Sequence, residues 1–187
     1  NTFRFFDLQM EAIVRERVAL EEDLHLGILN EQFILHFQPQ LNSERCIIGA
    51  EALIRWNHPH RGLVMPGHFI QLAKDSGLIL QIGKWVMESA CRQLLQWSKH
   101  PETESLVLSV NVSPRQYLQT DFVDQVIGMI NRTAINPSRL KLEMTETMLI
   151  QNVEDIISKM TTLRERGVRF SLDDFGTGYS SLSYLKR

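Results

Sequence analysis

Apolar residues along this chain change their period several times, and the changes mark out its elements. From Asp7 to Asn30 they recur at helical spacing, with Ile13, Leu20, Leu24 and Ile28 on one side, which predicts a helix. Phe33 to Leu41 (FILHFQPQL) and Ile47 to Trp56 predict strands, the first interrupted by Pro39. Asn57 to Gly62 (NHPHRG) has turn composition. Pro66 to Lys74 predicts a short helix with proline near its first turn. Leu78 to Trp97 predicts a long one, with Ile82, Val86, Ala90, Leu94 and Trp97 on one side. Further strands are predicted at Leu106 to Ser113, Leu140 to Thr145 and Val168 to Asp173. Helices fall between them, at Asp121 to Arg132 and Asn152 to Arg166. In the second, Val153, Ile156, Ile157, Met160 and Leu163 follow the amphipathic rule, Asn152 offers an N-cap and Gly167 a stop. Gly178 to Arg187 opens one more helix.

This alternation implies a parallel sheet with helical crossovers, either doubly wound or a (β/α)₈ barrel. A doubly wound sheet meets helices on both faces, so both faces of its strands should be apolar. Here one face is polar. Ser109, Asn111 and Ser113 alternate with Leu108, Val110 and Val112; Lys141, Glu143 and Thr145 alternate with Leu140, Leu142 and Met144. Ser171 and Asp173 alternate with Phe170 and Leu172, and Glu51, Leu53 and Arg55 with Ala52, Ile54 and Trp56. A barrel is therefore expected, with the polar set toward its mouth, where barrel active sites lie.

Glu51 stands in an otherwise apolar strand, where an unpaired carboxylate costs several kcal/mol. With Asn111, Glu143 and Asp173 it makes a set of hard oxygen ligands from four strands, which suits Mg²⁺ or Mn²⁺ rather than zinc. Asp174 adjoins Asp173, so one strand end can face a second metal, the arrangement that serves phosphoester hydrolysis. Arg55 offers a planar fork for phosphate. Each residue also has a structural reading: Glu51 paired with Arg55, Asn111 satisfying backbone groups, Glu143 paired with Lys141, Asp173 capping the turn at Gly176. His58 and His60 flank Pro59 and suit a turn better than zinc, having no suitably spaced third ligand. Asp174, Phe175 and Gly176 spell a kinase metal triplet, but the glycine-rich and His-Arg-Asp loops are absent from the chain. The loop Gly176 to Ser181 is small enough to receive phosphate or act as a lid, or to be an ordinary connection.

Composition narrows the picture further. The chain has 187 residues and a net charge of −2, so no basic field points to a nucleic acid polymer. Its two cysteines, Cys46 and Cys91, make no disulfide framework and suit a reducing, cytoplasmic setting. No apolar run reaches the ~18 residues of a membrane span.

These residues carry a resemblance. Glu51, Ala52 and Leu53, followed by Arg55 and Trp56, resemble the signature of the EAL-domain family. Asn111 to Ser113, Glu143 to Glu146 (Met144 where leucine is common) and Asp173 to Ser181 (DDFGTGYSS) are similar to its later motifs, in the same order. The resemblance implies a modified (β/α)₈ TIM barrel with an antiparallel first strand, of which the first five to six β/α units would be present. It implies hydrolysis of cyclic di-GMP to linear pGpG with two Mg²⁺ or Mn²⁺. Glu51, Asn111, Glu143 and Asp173 would bind one ion, and Asp173 and Asp174 the second. Glu51, Asp173 and Asp174 would then be the catalytic residues. Gln38, Leu53 and Arg55 would contact substrate, and Glu146, Thr177 and Ser180 would anchor a loop that couples binding to homodimerisation. Residues 1–30 would be the tail of a preceding GGDEF-like domain and a linker helix, and 31–187 the EAL domain, cut before strands six to eight. The family's general-base lysine would follow residue 187; Lys186 is not that residue. The parent would carry GGDEF and sensory domains, lie in the cytoplasm or at the inner membrane, and lower cyclic di-GMP signalling. A non-catalytic cyclic di-GMP receptor or a dimerisation module is the alternative.

Overall fold

The computed structural model describes residues 8–145 and 153–173. The elements run α1 (Leu8–Leu29), β1 (Phe33–Leu41), β2 (Ile47–His58), β3 (Gly62–Val64), α2 (Ile70–Ser76) and α3 (Ile79–Trp97). Then follow β4 (Val107–Asn111), α4 (Pro114–Tyr117), α5 (Phe122–Thr133), β5 (Leu140–Thr145), α6 (Val153–Glu165) and β6 (Arg169–Asp173). The strand order is β1-β2-β4-β5-β6, with β3 added on β2. Pairs β2–β4, β4–β5 and β5–β6 are parallel. β1 and β2 are neighbours joined by five residues, a hairpin and hence antiparallel. Asn42 builds its turn: Oδ1 accepts from the backbone N–H of Glu44 (3.0 Å) and Cys46 (2.9 Å), and Arg45 takes φ 62°. A reversed first strand followed by parallel β/α units is the barrel order expected above.

The chain packs as two compact units. One takes the described residues up to Ile34 with Ile54–Ile82; the other takes Leu35–Leu53 with the described residues from Gly83 onward. In the first unit Trp56 is fully buried, its ring 5.9 Å from Phe33 and 5.7 Å from Phe69. Its indole N–H donates to Gln32 Oε1 at 3.0 Å, satisfying the one polar atom that burial would orphan. Leu24 of α1 is buried in the same unit. In the second unit Leu108, Val110, Leu140, Leu142 and Met144 are buried with Ala90, Leu94, Val126, Ile130, Ile156 and Leu163 of the helices. The face read as apolar is thus the face that packs. Across the described residues no helix is long and apolar enough to cross a membrane.

Three boundaries differ from the sequence reading. The expected turn from Asn57 is shorter, because β2 continues to His58 and pairs with β3 in the register Trp56–Val64, Asn57–Leu63, His58–Gly62. His58 is buried, and its Nδ1 accepts from the backbone of His60 (3.1 Å) and Arg61 (3.2 Å). The histidine therefore closes the turn itself, as the turn reading required. The helix expected from Pro66 to Lys74 divides into a 3-10 turn at Pro66–His68 and α2, with Phe69 at φ −130° between them. β4 ends at Asn111, earlier than Ser113, which instead caps α4 by accepting from Gln116 N at 3.2 Å. Gly167 stops α6 as expected, at φ 94°, a conformation only glycine enters freely. The expected cap Asn152 and the helix from Gly178 lie outside the described residues.

Candidate metal centre

Backbone register puts the predicted ligands on one face of the second unit. Across β2, β4, β5 and β6, Glu51 opposes Ser109, Ser109 opposes Lys141, and Lys141 opposes Arg169. One pleat nearer the strand ends, Asn111 opposes Glu143, and Glu143 opposes Ser171. One pleat further, Thr145 opposes Asp173. Cα partners in register share a face, so the rows containing Glu51, Asn111, Glu143 and Asp173 lie on the same side at successive heights.

The side chains show what this placement does. Asn111, exposed at the end of β4, donates from Nδ2 to Glu51 Oε1 at 2.7 Å. Glu143 is buried, yet its charge is compensated: Lys141 Nζ lies 2.9 Å from Oε1, and Ser171 Oγ donates to the same oxygen at 3.2 Å. A third group extends the layer. Gln40 Oε1 accepts from Ser109 Oγ (3.3 Å) and from Lys141 Nζ (3.4 Å). The sequence reading missed Gln40, although Gln38 and Gln40 alternate with apolar residues in β1 and that period announces a polar face.

Glu51 and Asn111 touch, and Glu143 stands beside Asn111 in register. The Glu143–Lys141 pair, weighed above as the structural reading, is also formed. Leu53 is half-buried on β2, and Gln38 is exposed on β1. Arg55 belongs to the first unit, where its Nη1 donates to the Ile54 carbonyl at 2.8 Å. Asp173 is described by its strand position alone. Asp174, Glu146, Thr177 and Ser180 lie outside the described residues. Among the described residues no cluster of three or more His, Cys, Asp or Glu is arranged to hold a metal. Those residues contribute two carboxylates, Glu51 and Glu143, and the Asn111 amide. All are hard oxygen donors that suit Mg²⁺ or Mn²⁺, and each carboxylate carries a second oxygen beyond its bonded Oε1. The donor set therefore fits a divalent cation.

The family model described as EAL domain matches residues 19–187. The chain belongs to the EAL domain family. Among curated relatives, the bifunctional diguanylate cyclase/cyclic di-GMP phosphodiesterase MucR of Pseudomonas aeruginosa is 41% identical over 100% of this chain and 27% of its own length. The oxygen sensor protein DosP of Escherichia coli is 39% identical over 99% of this chain and 23% of its own. The chain thus spans about a quarter of the length of such relatives. A solved structure of the MucR phosphodiesterase with c-di-GMP superposes at TM-score 0.85 with 41% identity, over 89% of this chain and 68% of that one. The c-di-GMP-bound FimX EAL domain of Pseudomonas aeruginosa, at 21% identity and TM-score 0.77 over 88% and 66% of the two chains, shares the fold. The mixed α/β architecture with its reversed first strand is that of these TIM-barrel-like EAL domains.

Proposed function

We propose that this EAL domain hydrolyses cyclic di-GMP to linear pGpG with Mg²⁺ or Mn²⁺. The observation that carries the reading is the contact of Glu51 with Asn111, on the face where Asn111 stands in register with Glu143. It is supported by relatives named for cyclic di-GMP phosphodiesterase activity and by c-di-GMP in the MucR structure. Glu51, Asn111, Glu143 and Asp173 would hold one cation, and Asp173 with Asp174 a second. Bound there, such cations polarise phosphoryl oxygens and neutralise charge that develops on the attacked phosphodiester. The chain's own part is to fix the ligands before substrate arrives. Asn111 holds the Glu51 carboxylate, and Ser171 holds that of Glu143. Arg55 would orient a substrate phosphate, and Gln38 and Leu53 would flank the nucleotide. Glu146, Thr177 and Ser180 would anchor the loop after β6. The proton acceptor would be a lysine after residue 187. The intact protein would act as a homodimer in the cytoplasm, with GGDEF and sensory domains preceding this one, residues 1–30 serving as the connection.

The test is turnover of cyclic di-GMP by the intact protein, followed by chromatography of the nucleotides with Mg²⁺ or Mn²⁺ present. Glu51→Ala should lower turnover at least about a hundredfold, since a metal supplies several kcal/mol of charge stabilisation. Unchanged turnover in that variant removes the metal assignment. A wild-type protein that binds cyclic di-GMP without cutting it is a receptor, and the hydrolase reading then fails.

A further inference from the structure

Lys141 is a cation on the same strand face as Glu143, two residues before it, and its Nζ sits 2.9 Å from Glu143 Oε1. The Lys141 side chain is 23% exposed and that of Glu143 9%, so the pair lies where solvent screens charge poorly. Lys141 is also held from the other side. Gln40 of β1 accepts from Nζ at 3.4 Å and is itself held by Ser109 at 3.3 Å. Ser171 donates to the same Glu143 oxygen at 3.2 Å. The carboxylate proposed as a metal ligand is therefore already neutralised by a tethered ammonium.

We propose that Lys141 is an internal counter-cation, which stabilises Glu143 in the metal-free domain and competes with a divalent cation for that carboxylate. The inference rests on Glu143 being a metal ligand, as read above. Its physics is direct. A divalent cation arriving at Glu143 meets a positive charge a few ångströms away, and it must share with Lys141 a carboxylate whose charge the ammonium already draws on. Both effects weaken binding, and both vanish if the charge is removed at constant volume. Lys141 is then a positioning residue: it keeps a buried acid tolerable without metal and sets how much metal the site needs.

The experiment titrates Mn²⁺ into the intact metal-free protein by calorimetry, with thermal melting with and without Mn²⁺ as a second readout. Glu143→Gln identifies the heat that belongs to this site. Lys141→Met should bind Mn²⁺ at that site roughly tenfold more tightly. Without metal it should melt lower than wild type, and its upward shift on adding Mn²⁺ should be larger. If Lys141→Met does not fold, Lys141→Gln, neutral but still able to donate to Gln40, carries the same expectation. Affinity that is unchanged or weaker in the neutral variants, with binding lost in Glu143→Gln, overturns the competition while leaving the metal site in place. Unaltered binding in Glu143→Gln overturns the metal assignment itself.

Discussion

Cys91 and Cys46 are the same residue in opposite surroundings. Cys91 is fully buried on α3, and burial pushes its thiol up to about 11, with a hydrogen bond from the Thr133 side chain opposing and the Glu88 charge adding to the rise. Cys46 is exposed at the end of the β1–β2 turn. Only the thiolate alkylates, and with the pKa at about 11 roughly one Cys91 in a thousand is ionised at pH 8. Iodoacetamide at pH 8 should therefore label Cys46 and leave Cys91 until the protein is denatured. Peptide mass spectrometry reads the two sites separately, and equal labelling would show that α3 opens in the native state. At this same scale the sequence was informative where a residue violated its surroundings. Glu51 in an apolar strand had to have a partner, and Asn111 supplies one. Gln40 violated nothing, being a polar residue in a polar-faced strand, so its reach across to Ser109 and Lys141 needed the tertiary structure.

Elements meet at two glycines that the fold uses differently. Gly49 of β2 opposes Val107 of β4, and a Cβ there would lie 2.3 Å from the Val107 carbonyl oxygen. Backbone cannot step aside without moving the strand. Gly49→Ala should thus force β2 from β4, the pairing that brings Glu51 within reach of Asn111 two residues on. A loss of about 1–3 kcal/mol is expected, with Mn²⁺ binding weakened as well. Gly83 of α3 meets the Gln116 side chain, whose Oε1 would lie 2.3 Å from the new Cβ. Gln116 Cδ would lie 2.6 Å away as well, so the buried side chain must shift as a whole. A side chain can do so where backbone cannot, and alanine in a helix regains about 1 kcal/mol over glycine, so Gly83→Ala should lose less stability than Gly49→Ala. Comparing the melting of the two variants checks both; similar losses would mean that Gln116 is as immovable as a strand. Element type was legible from periodicity, as in α6 and β5. Boundaries were not, where side chains bond the backbone: His58 draws β2 onward, and Ser113 ends β4 by capping α4.

At the scale of the molecule, the alternation of strands and helices and the polar strand face announced a barrel. The division into two units left no trace in composition, because the chain passes between them inside β1, inside β2 and inside α3 rather than through linkers. β1 and β6 stand at the two ends of the strand order among the described residues. On β1, Leu41 is 55% exposed, and Ile47 across the hairpin 56%. Beside β6 an open groove of about 550 Å³ is lined by Met144, Met160, Phe170 and Leu172, with Arg164 and Arg169 among them. An end strand presents a row of backbone donors and acceptors, and apolar surface beside it favours pairing with another chain. Residues 1–187 produced by themselves should therefore associate as concentration rises, seen by light scattering, and exchange the β6 amides faster than those of β4 between its two partners. In the intact protein, where the EAL reading expects further strands to cover β6, exchange there should slow to the rate of β4. A monomeric 187-residue piece with β6 amides as protected as those of β4 would mean that six strands are enough, and that the polar face of the proposed metal centre does not need a closed ring to hold it.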